Sequence, residues 1–395
     1  MEKLIPKLRF PEFKGEWEEK QLGNITTWAS GGTPPKDIDS YWNGNISWIS
    51  ASSMRGIEYS NSELKITNEG LKKGSKLAPK GSLLILVRGS MLFNTIPIGI
   101  VMQDVAFNQD VKSIIVDGTT TSKYILYWFI SYESKILNMV TGTGIGAGKL
   151  DLMDLKALGI SLPTLPEQQK IATFLTSVDE KLQALKNKKG LLEQYKKGVM
   201  QKIFSQEFRF KPARPSGGDE NGNDFPEWEE KSLGDCLDYE QPTNYLVAST
   251  EYNDKFQTPV LTAGKTFILG YTDEINGIYK DNLPVIIFDD FTTATQFVEF
   301  PFKAKSSAMK ILKAKEQINI KFVFEAMKMM KYEVGGHERH WISKFTYIEM
   351  QLPSLNEQTH IANFLNSIDD KINHSSEQIA KMEVWKKGLL QGMFC

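Results

Sequence analysis

Apolar residues fall seven apart over a long stretch in the middle of the chain and again near its end. In the first stretch Ile171, Val178, Leu185, Leu192 and Val199 recur at heptad spacing, with Leu175 and Leu182 four residues after the first two. In the second, Ile361, Ile368, Met382 and Leu389 keep the same frame, with Leu365, Ile372 and Ile379 as partners and Ser375 as a polar interruption. Apolar residues at two positions of a heptad predict a helix that seats its stripe against another helix, as in a coiled-coil seam. Pro163, Pro166 and Pro353 stand before or at the helix starts, where proline is tolerated, and Glu167 and Glu357 complement the helix dipole in the first turn. From Glu167 to Phe204 such a helix would run roughly 57 Å at about 1.5 Å per residue. Equal lengths and matching heptads predict that the two helices pack on each other as an antiparallel pair; the alternative is that each merely packs on its own domain, the commoner fate of amphipathic helices.

The two stretches are copies. Leu162–Phe204 aligns without gaps on Leu352–Phe394 at a constant offset of 190, with 18 of 43 positions identical. Unrelated sequences would share roughly 1 in 17 by composition. A shorter repeat, Trp17-Glu18-Glu19-Lys20-Gln21-Leu22-Gly23 against Trp228-Glu229-Glu230-Lys231-Ser232-Leu233-Gly234, opens each half. Between these shared ends, Ile25–Ser161 and Asp235–Gln351 do not align with each other. Apolar runs such as Ser82–Val87 and Pro284–Asp290 predict buried strands bounded by polar breaks. The expected organisation is a first variable domain (1–161), a central helical region (162–210), a polar linker (211–224), a second variable domain (225–351) and a C-terminal helical region (352–395). One scaffold thus presents two different inserts.

With 41% apolar and 24% charged residues, the 395-residue chain has ordinary globular composition and length for two or three domains. The opening MEKLIPKLRF has no signal-peptide core, and runs such as Tyr124–Ile130 are too short to span a bilayer, so a cytoplasmic location without membrane contact is expected. Two cysteines, Cys236 and Cys395, and four histidines show no metal-ligand spacing and no disulfide framework. A net charge of −1 makes no global case for nucleic-acid binding; local patches or other subunits would have to neutralise phosphates.

The repeated L-P-x-L-x-E-Q-x-x-I-A-x-F-L-x-S-x-D-x-K block, the W-E-E-K-x-L-G openers, and Gly31-Gly32-Thr33-Pro34 with Tyr41-Trp42-Asn43-Gly44 and Ile46-Ser47-Trp48-Ile49 together resemble the specificity subunit of type I restriction–modification systems. The resemblance covers essentially the whole chain. It implies a mixed α/β (α+β) fold with two target recognition domains related by pseudo-twofold symmetry. Two long helices would join them as an antiparallel coiled coil. It implies a bipartite asymmetric site on double-stranded DNA, one half-site per domain. Two adenine-specific methyltransferase subunits would bind the helical regions, and restriction (translocase) subunits would join them. No cofactor is expected on this chain, because S-adenosylmethionine, ATP and Mg²⁺ would be used by those partners.

The residues themselves argue against chemistry here. An amino-methyltransferase needs an Asn/Asp-Pro-Pro-Tyr/Phe loop to hold a flipped base, and Pro34-Pro35, in Gly-Thr-Pro-Pro-Lys, does not match. Gly142–Lys149 looks like a phosphate loop but follows a helix-like segment, and Leu150 stands where Ser or Thr would be required. It reads as a flexible connection, with a backbone–phosphate contact as the alternative. Asp289-Asp290 lacks a third carboxylate at nuclease spacing and reads as a loop-start acidic pair. A stand-alone regulator of a bipartite operator, a fused restriction–modification enzyme and a coiled-coil adaptor with no DNA role are the competing readings.

Base edges are read by Arg, Lys, Asn, Gln, Ser and Thr, whose donors and acceptors match the groove pattern. In the first variable domain the candidates are Lys36, Tyr41, Ser50, Ser52, Ser53, Arg55, Arg88, Ser90, Asn94, Asn108 and Gln109, in polar breaks beside strand-like runs. In the second they are Thr262, Lys265, Thr266, Thr292, Thr293, Thr295, Lys305, Ser306 and Lys310, with His337, Arg339 and His340.

Overall fold

Each repeated opener folds as a strand that closes on the far end of its own variable region. Glu18–Gln21 pairs antiparallel with Gly159–Leu162, and Glu229–Ser232 pairs in the same sense with Glu349–Leu352. Trp17 and Leu22, like Trp228 and Leu233, are buried beneath these pairs. The motif's glycine is dictated by close approach. A Cβ on Gly23 would lie 2.9 Å from Lys156 Cβ, and one on Gly234 would lie 2.9 Å from the Thr346 carbonyl oxygen. Every variable region therefore starts and finishes beside the helix that follows it.

The computed structural model describes residues 5–144, 146–211, 225–262, 264, 266–330 and 340–394. The chain divides into two units, residues 1–186 with 377–395 and residues 187–376. The division falls inside both long helices, so each unit holds a variable domain and parts of both repeats.

In the first unit one sheet runs in the order Thr26–Ser30, Val111–Val116, Leu83–Leu86, Ile98–Val101, Glu58–Tyr59, antiparallel except for its last pair. Leu83–Leu86 has a partner on each side and all four side chains are buried, which is why the run is uniformly apolar rather than alternating. A second sheet has the order Lys65–Ile66, Trp42–Ile49, Val105–Phe107, Lys76–Ala78, and its two middle strands are parallel. Helix α1 (Ser122–Ser131) is capped by Thr121, whose hydroxyl accepts the Tyr124 N–H, and every side chain from Tyr124 to Phe129 is buried. Helix α2 (Leu165–Phe204) follows.

The second unit repeats this plan without repeating its sequence. Its main sheet is ordered Leu237–Glu240, Met309–Ala314, Val285–Asp289, Thr295–Val298, again with the central apolar strand between antiparallel partners. Its second sheet is Ile268–Thr272, Thr258–Leu261, Lys303–Ala304, and once more contains a parallel pair. Helix α3 (Ile320–Met329), capped by Asn319, takes the place of α1, and helix α4 (Leu355–Met393) takes that of α2.

Within each unit the two long helices run antiparallel. In the first, Asp179 pairs with Lys386 and Lys186 with Glu383, so numbers rise on α2 as they fall on α4. In the second, Lys196 pairs with Asp369 at 2.7 Å. The heptad stripe does more than form a helix–helix seam. Ile171, Leu175, Val178, Met382 and Leu389 join the core that contains α1, while Val199, Ile361, Leu365, Ile368 and Ile372 join the core that contains α3. Leu182 and Leu185 are buried; Leu192 and Ile379 are half-buried, and Ser375 is buried with its hydroxyl donating to the Lys371 carbonyl. Within each unit the stripe residues thus face that unit's variable domain as well as the other helix.

The Glu-Gln pair at each helix start fastens that helix to its domain. Glu167 accepts Arg9 through two bonds of 2.7 and 2.8 Å, and Glu357 accepts Arg209 at 3.1 and 2.8 Å together with the Trp228 indole N–H. Gln168 accepts from Thr120 and Thr121 and donates to the Thr119 and Pro163 carbonyls. Gln358 accepts the Asn319 N–H and donates to the Pro353 carbonyl. These glutamates are buried ion-pair partners and not only dipole-complementing charges.

Candidate nucleic-acid interface

In the first unit the strand directions bring several loops to one end of both sheets. Thr26–Ser30, Leu83–Leu86, Trp42–Ile49 and Val105–Phe107 all finish there, and Val111–Val116 begins there. The Gly32 N–H donates to the Phe107 carbonyl, Asn108 N–H to Ile49, Val87 N–H to Asp110 and Leu150 N–H to Val87, so the emerging segments are knitted together. Two tryptophans of the Tyr41–Gly44 and Ile46–Ile49 motifs hold the first loop: the Trp48 indole donates to the Gly32 carbonyl (3.0 Å) and the Trp42 indole to that of Pro35 (2.9 Å). Gly31 is obligatory, because a Cβ would lie 2.1 Å from the Phe107 oxygen.

This end carries Lys36, Ser50, Ser52, Ser53, Arg88, Ser90, Asn94 and Gln109. Lys36, Ser52, Arg88, Ser90, Asn94 and Gln109 are exposed, and Tyr41 is half-buried. Gln109 accepts the Thr33 hydroxyl at 2.6 Å through its amide oxygen, which leaves the amide NH₂ as a donor. Two expectations change. Asn108 is buried and its oxygen accepts the Asp110 and Val111 N–H groups, so it builds the turn instead of facing a ligand. Arg55 stands apart, lining a groove of about 580 Å³ with Lys123, Tyr127, Asp179 and Glu180 beside the helices. Ser50 and Ser53 cap one another across a short 3₁₀ turn, leaving Ser52 as the hydroxyl at its exposed tip.

Three residues outside the candidate base readers also stand at this end. Thr141 and Lys149 lie on paired strands, Thr141–Gly142 with Gly148–Lys149, and Gly148–Lys149 pairs in turn with Arg88–Gly89; both ends of the expected flexible connection are therefore strand. Lys112 donates to the Gln109 carbonyl, and burial lowers its ammonium below the ordinary lysine range against the opposing influence of Asp110. The only sequence signal for Lys149 was its place at the end of a glycine-rich run.

The second unit gathers its loops by the same logic. Val285–Asp289 and Thr258–Leu261 finish at the end where Met309–Ala314 begins, and the Lys305 N–H donates to the Leu261 carbonyl. Thr266 and Thr292 are exposed there; Thr262, Thr295, Lys305 and Ser306 are half-buried. The Thr262 hydroxyl spans its loop to the Thr266 carbonyl, and Asp289 accepts the Phe291 and Thr292 N–H groups. Three expected surface residues lie inside. Thr293 is buried with φ of 59°, a strained conformation for a β-branched residue. Lys310 is 1% exposed and pairs with Asp290 at 3.0 Å, while Asp290 also accepts the Trp341 N–H. His340 is buried, and its backbone N–H donates to the Asp290 carbonyl. The core admits the lysine because a carboxylate neutralises it. Lys265, His337 and Arg339 lie outside the described residues.

The electrostatics separate two kinds of cation. Lys196, Lys303 and Lys310 are buried and each has a carboxylate partner. Lys36, Arg88, Lys149 and Lys305, at the loop ends, form no ion pair among the described residues. A chain of net charge −1 thus has, among its described residues, cations without an ion-pair partner at the loop ends of both domains. No helix among the described residues is long and apolar enough to cross a membrane.

Comparison with known proteins agrees with this arrangement. The family model for the type I restriction modification DNA specificity domain matches residues 14–194 and 226–383, one copy per half of the chain. The specificity subunit of the Escherichia coli type I restriction enzyme EcoR124I/EcoR124II is 49% identical over 126 residues, 31% of each chain. That of the Methanocaldococcus jannaschii enzyme MjaIX is 31% identical over 235 residues, 58% of this chain and 53% of its own. These matches span about a third and about half of the relatives' lengths. The crystal structure of a type I S subunit from M. genitalium shares the fold at a TM-score of 0.65 and 16% identity, covering 99% of both chains. A chain from a structural study of complex assembly and conformational transition in the type I R-M system gives 0.52 at 13% identity, over 95% of this chain and 96% of that one. With two matched specificity domains spread over most of its length, this chain belongs to the family of type I restriction–modification specificity subunits.

Proposed function

We propose that the chain is the non-catalytic part of a type I complex that reads a bipartite, asymmetric DNA target, one half-site with each variable domain. The observation that carries this reading is the common strand plan of the two domains. Both bring polar loops to the corresponding end of their sheets, while the sequences of those loops do not align. A shared frame with unlike loops suits two different half-sites better than a symmetric operator. Phosphate contacts would position the domains, and groove-facing Arg, Gln, Asn, Ser and Thr would specify sequence.

On this reading the first half-site is read from Lys36, Ser52, Ser90, Asn94 and Gln109, and the second from Thr262, Thr266, Thr292, Lys305 and Ser306. Two methyltransferase subunits and the restriction subunits assemble on the helical regions, and S-adenosylmethionine, ATP and Mg²⁺ serve those partners. Helix α2 has 40 residues, about 60 Å at about 1.5 Å per residue, which exceeds one DNA turn of about 34 Å. A helix pair of that length suits a spacer between half-sites. The test is a chimera in which residues 226–351 are replaced by the corresponding domain of another specificity subunit. One half of the methylated motif should change and the other half, with the gap, should stay. A change in both halves, or in neither, would overturn the assignment of one half-site to each domain.

A further inference from the structure

The hairpin at Thr141–Lys149 lies on Arg88–Gly89 as a three-stranded platform two rungs deep. One rung is Thr141, Lys149 and Arg88, directly opposite one another; the next is Gly142, Gly148 and Gly89. Cross-strand partners share a face, and successive residues alternate faces. Two glycines of the next rung point at the protein: a Cβ on Gly148 would come within 2.8 Å of Val140 Cγ1 and 2.9 Å of Leu92 Cβ, and one on Gly89 within 3.3 Å of Leu86, whereas Gly142, at the sheet edge, is exposed. The Thr141–Lys149–Arg88 rung therefore points outward, and all three side chains are exposed.

Two cations directly opposite on antiparallel strands repel each other, which makes this a poor way to stabilise so short a sheet. No carboxylate relieves the repulsion, since neither Arg88 nor Lys149 forms an ion pair among the described residues. The nearest acid in sequence, Asp151, instead caps the helix Leu152–Ala157 by accepting the Met153 N–H. The Thr141 hydroxyl donates to the Lys149 carbonyl at 3.3 Å, so the donors this rung offers to a ligand are the two cations. The Arg88–Gly89 strand leaves the sheet end that carries the polar loops.

From this geometry we infer that the Thr141–Lys149–Arg88 rung is a clamp for the DNA sugar–phosphate backbone, anchoring the first domain without reading sequence. The inference rests on the DNA-recognition reading and adds that Arg88 and Lys149 position the domain while neighbouring loop residues specify bases.

The test uses the chain assembled with its methyltransferase subunits and compares cognate with scrambled duplexes. Replacing both cations, Arg88→Gln with Lys149→Gln, should weaken binding to both duplexes by the same factor and leave the methylated motif unchanged. It should also reduce the slope of log K against log salt by about 1.8, from about 0.9 per phosphate contact. Over a fourfold rise in salt, from about 50 to about 200 mM, wild type should lose about 12-fold more affinity than the double variant. Lys149→Glu separates folding from binding: a carboxylate opposite Arg88 should hold or raise the Tm of the free chain while affinity falls. An unchanged salt slope would overturn the clamp, and a motif altered in one half-site would show base reading in its place. If wild type itself fails to prefer its cognate duplex, the DNA-recognition reading fails and the clamp falls with it.

Discussion

Lys196 and Lys386 occupy the same position in the two helical repeats, yet removing them should have very different consequences. In the second unit Lys196 reaches Asp369 at 2.7 Å and Glu325 at 3.0 Å, and Glu325 is fully buried. Lys321 and Lys328 also contact Glu325, each at 3.3 Å, and Lys321 contacts Asp369 at 3.2 Å. In the first unit Lys386 meets Asp179, whose other neighbour is the Tyr127 hydroxyl at 2.9 Å, a neutral donor. Tyr127 and Glu325 each stand six residues after their helix N-caps, so one difference between otherwise corresponding helices turns a simple ion pair into a five-residue network around a buried carboxylate. Breaking a buried pair costs roughly 3–5 kcal/mol, and the two remaining lysines here should reduce the effect of Lys196→Met to about 2–3 kcal/mol. Lys386→Met, at a partly exposed pair, should cost about 1 kcal/mol or less. Read by hydrogen exchange of the helices in each unit, Lys196→Met should speed exchange in the second unit roughly 30- to 150-fold, against less than about 10-fold for Lys386→Met in the first. The pair Lys196→Met with Glu325→Gln should cost at least about 1 kcal/mol less than the sum of the single changes. Equal effects at the two lysines, or strict additivity, would refute the buried-network account.

Four further outcomes follow from the same contacts. Burial works against the Asp369 carboxylate, but Lys196 and Lys321 outweigh it and hold its pKa below the ordinary range. Its contribution is therefore present above about pH 4 and lost as the pH falls through the folded value, so the second unit's urea midpoint should drop on acidification and the Asp369→Asn variant should drop less. Burial pushes the Cys236 thiol up to about 11, reinforced by Asp235, so at pH 8 it should resist alkylation until the chain unfolds, as followed by mass spectrometry. Gln168→Leu leaves the Thr119 and Pro163 carbonyls without their donor and should cost about 2–3 kcal/mol, measured as a shift in the first unit's unfolding midpoint. Seven residues inserted after Lys186 and again after Ser376 lengthen both helices by about 10 Å while nearly preserving their faces, so the gap between half-sites should widen by about 3 base pairs. Methylation mapping that returns the original gap would remove the spacer role.

The frame was legible because it is repeated and periodic. Heptads at Ile171–Val199 and Ile361–Leu389 announce helices whatever they pack on, and the opener's Trp, Leu and Gly each answer a local steric demand. What the heptads could not convey is that Ile171, Leu175 and Val178 also face Tyr124–Phe129, because periodicity specifies a face and not its partners. The common plan of the variable regions was invisible for a related reason. Strand order is carried by backbone pairing, which tolerates Leu83–Leu86 in one domain and Val285–Asp289 in the other without alignable identity. Among candidate readers, residue type alone could not separate Arg88, exposed and unpaired, from Lys310, neutralised by Asp290, or from Asn108, consumed by a turn. Lys149 was read first as part of a flexible connection since a glycine-rich run looks like a linker until Arg88–Gly89 pairs with it.

The measurement that bears most directly on the central claim is a map of methylated adenines in the genome of cells expressing this chain with its methyltransferase subunit. Two unlike half-sites separated by an unspecified gap of fixed length are predicted. A continuous or palindromic motif, or methylation without sequence preference in the presence of a stable complex, would contradict it.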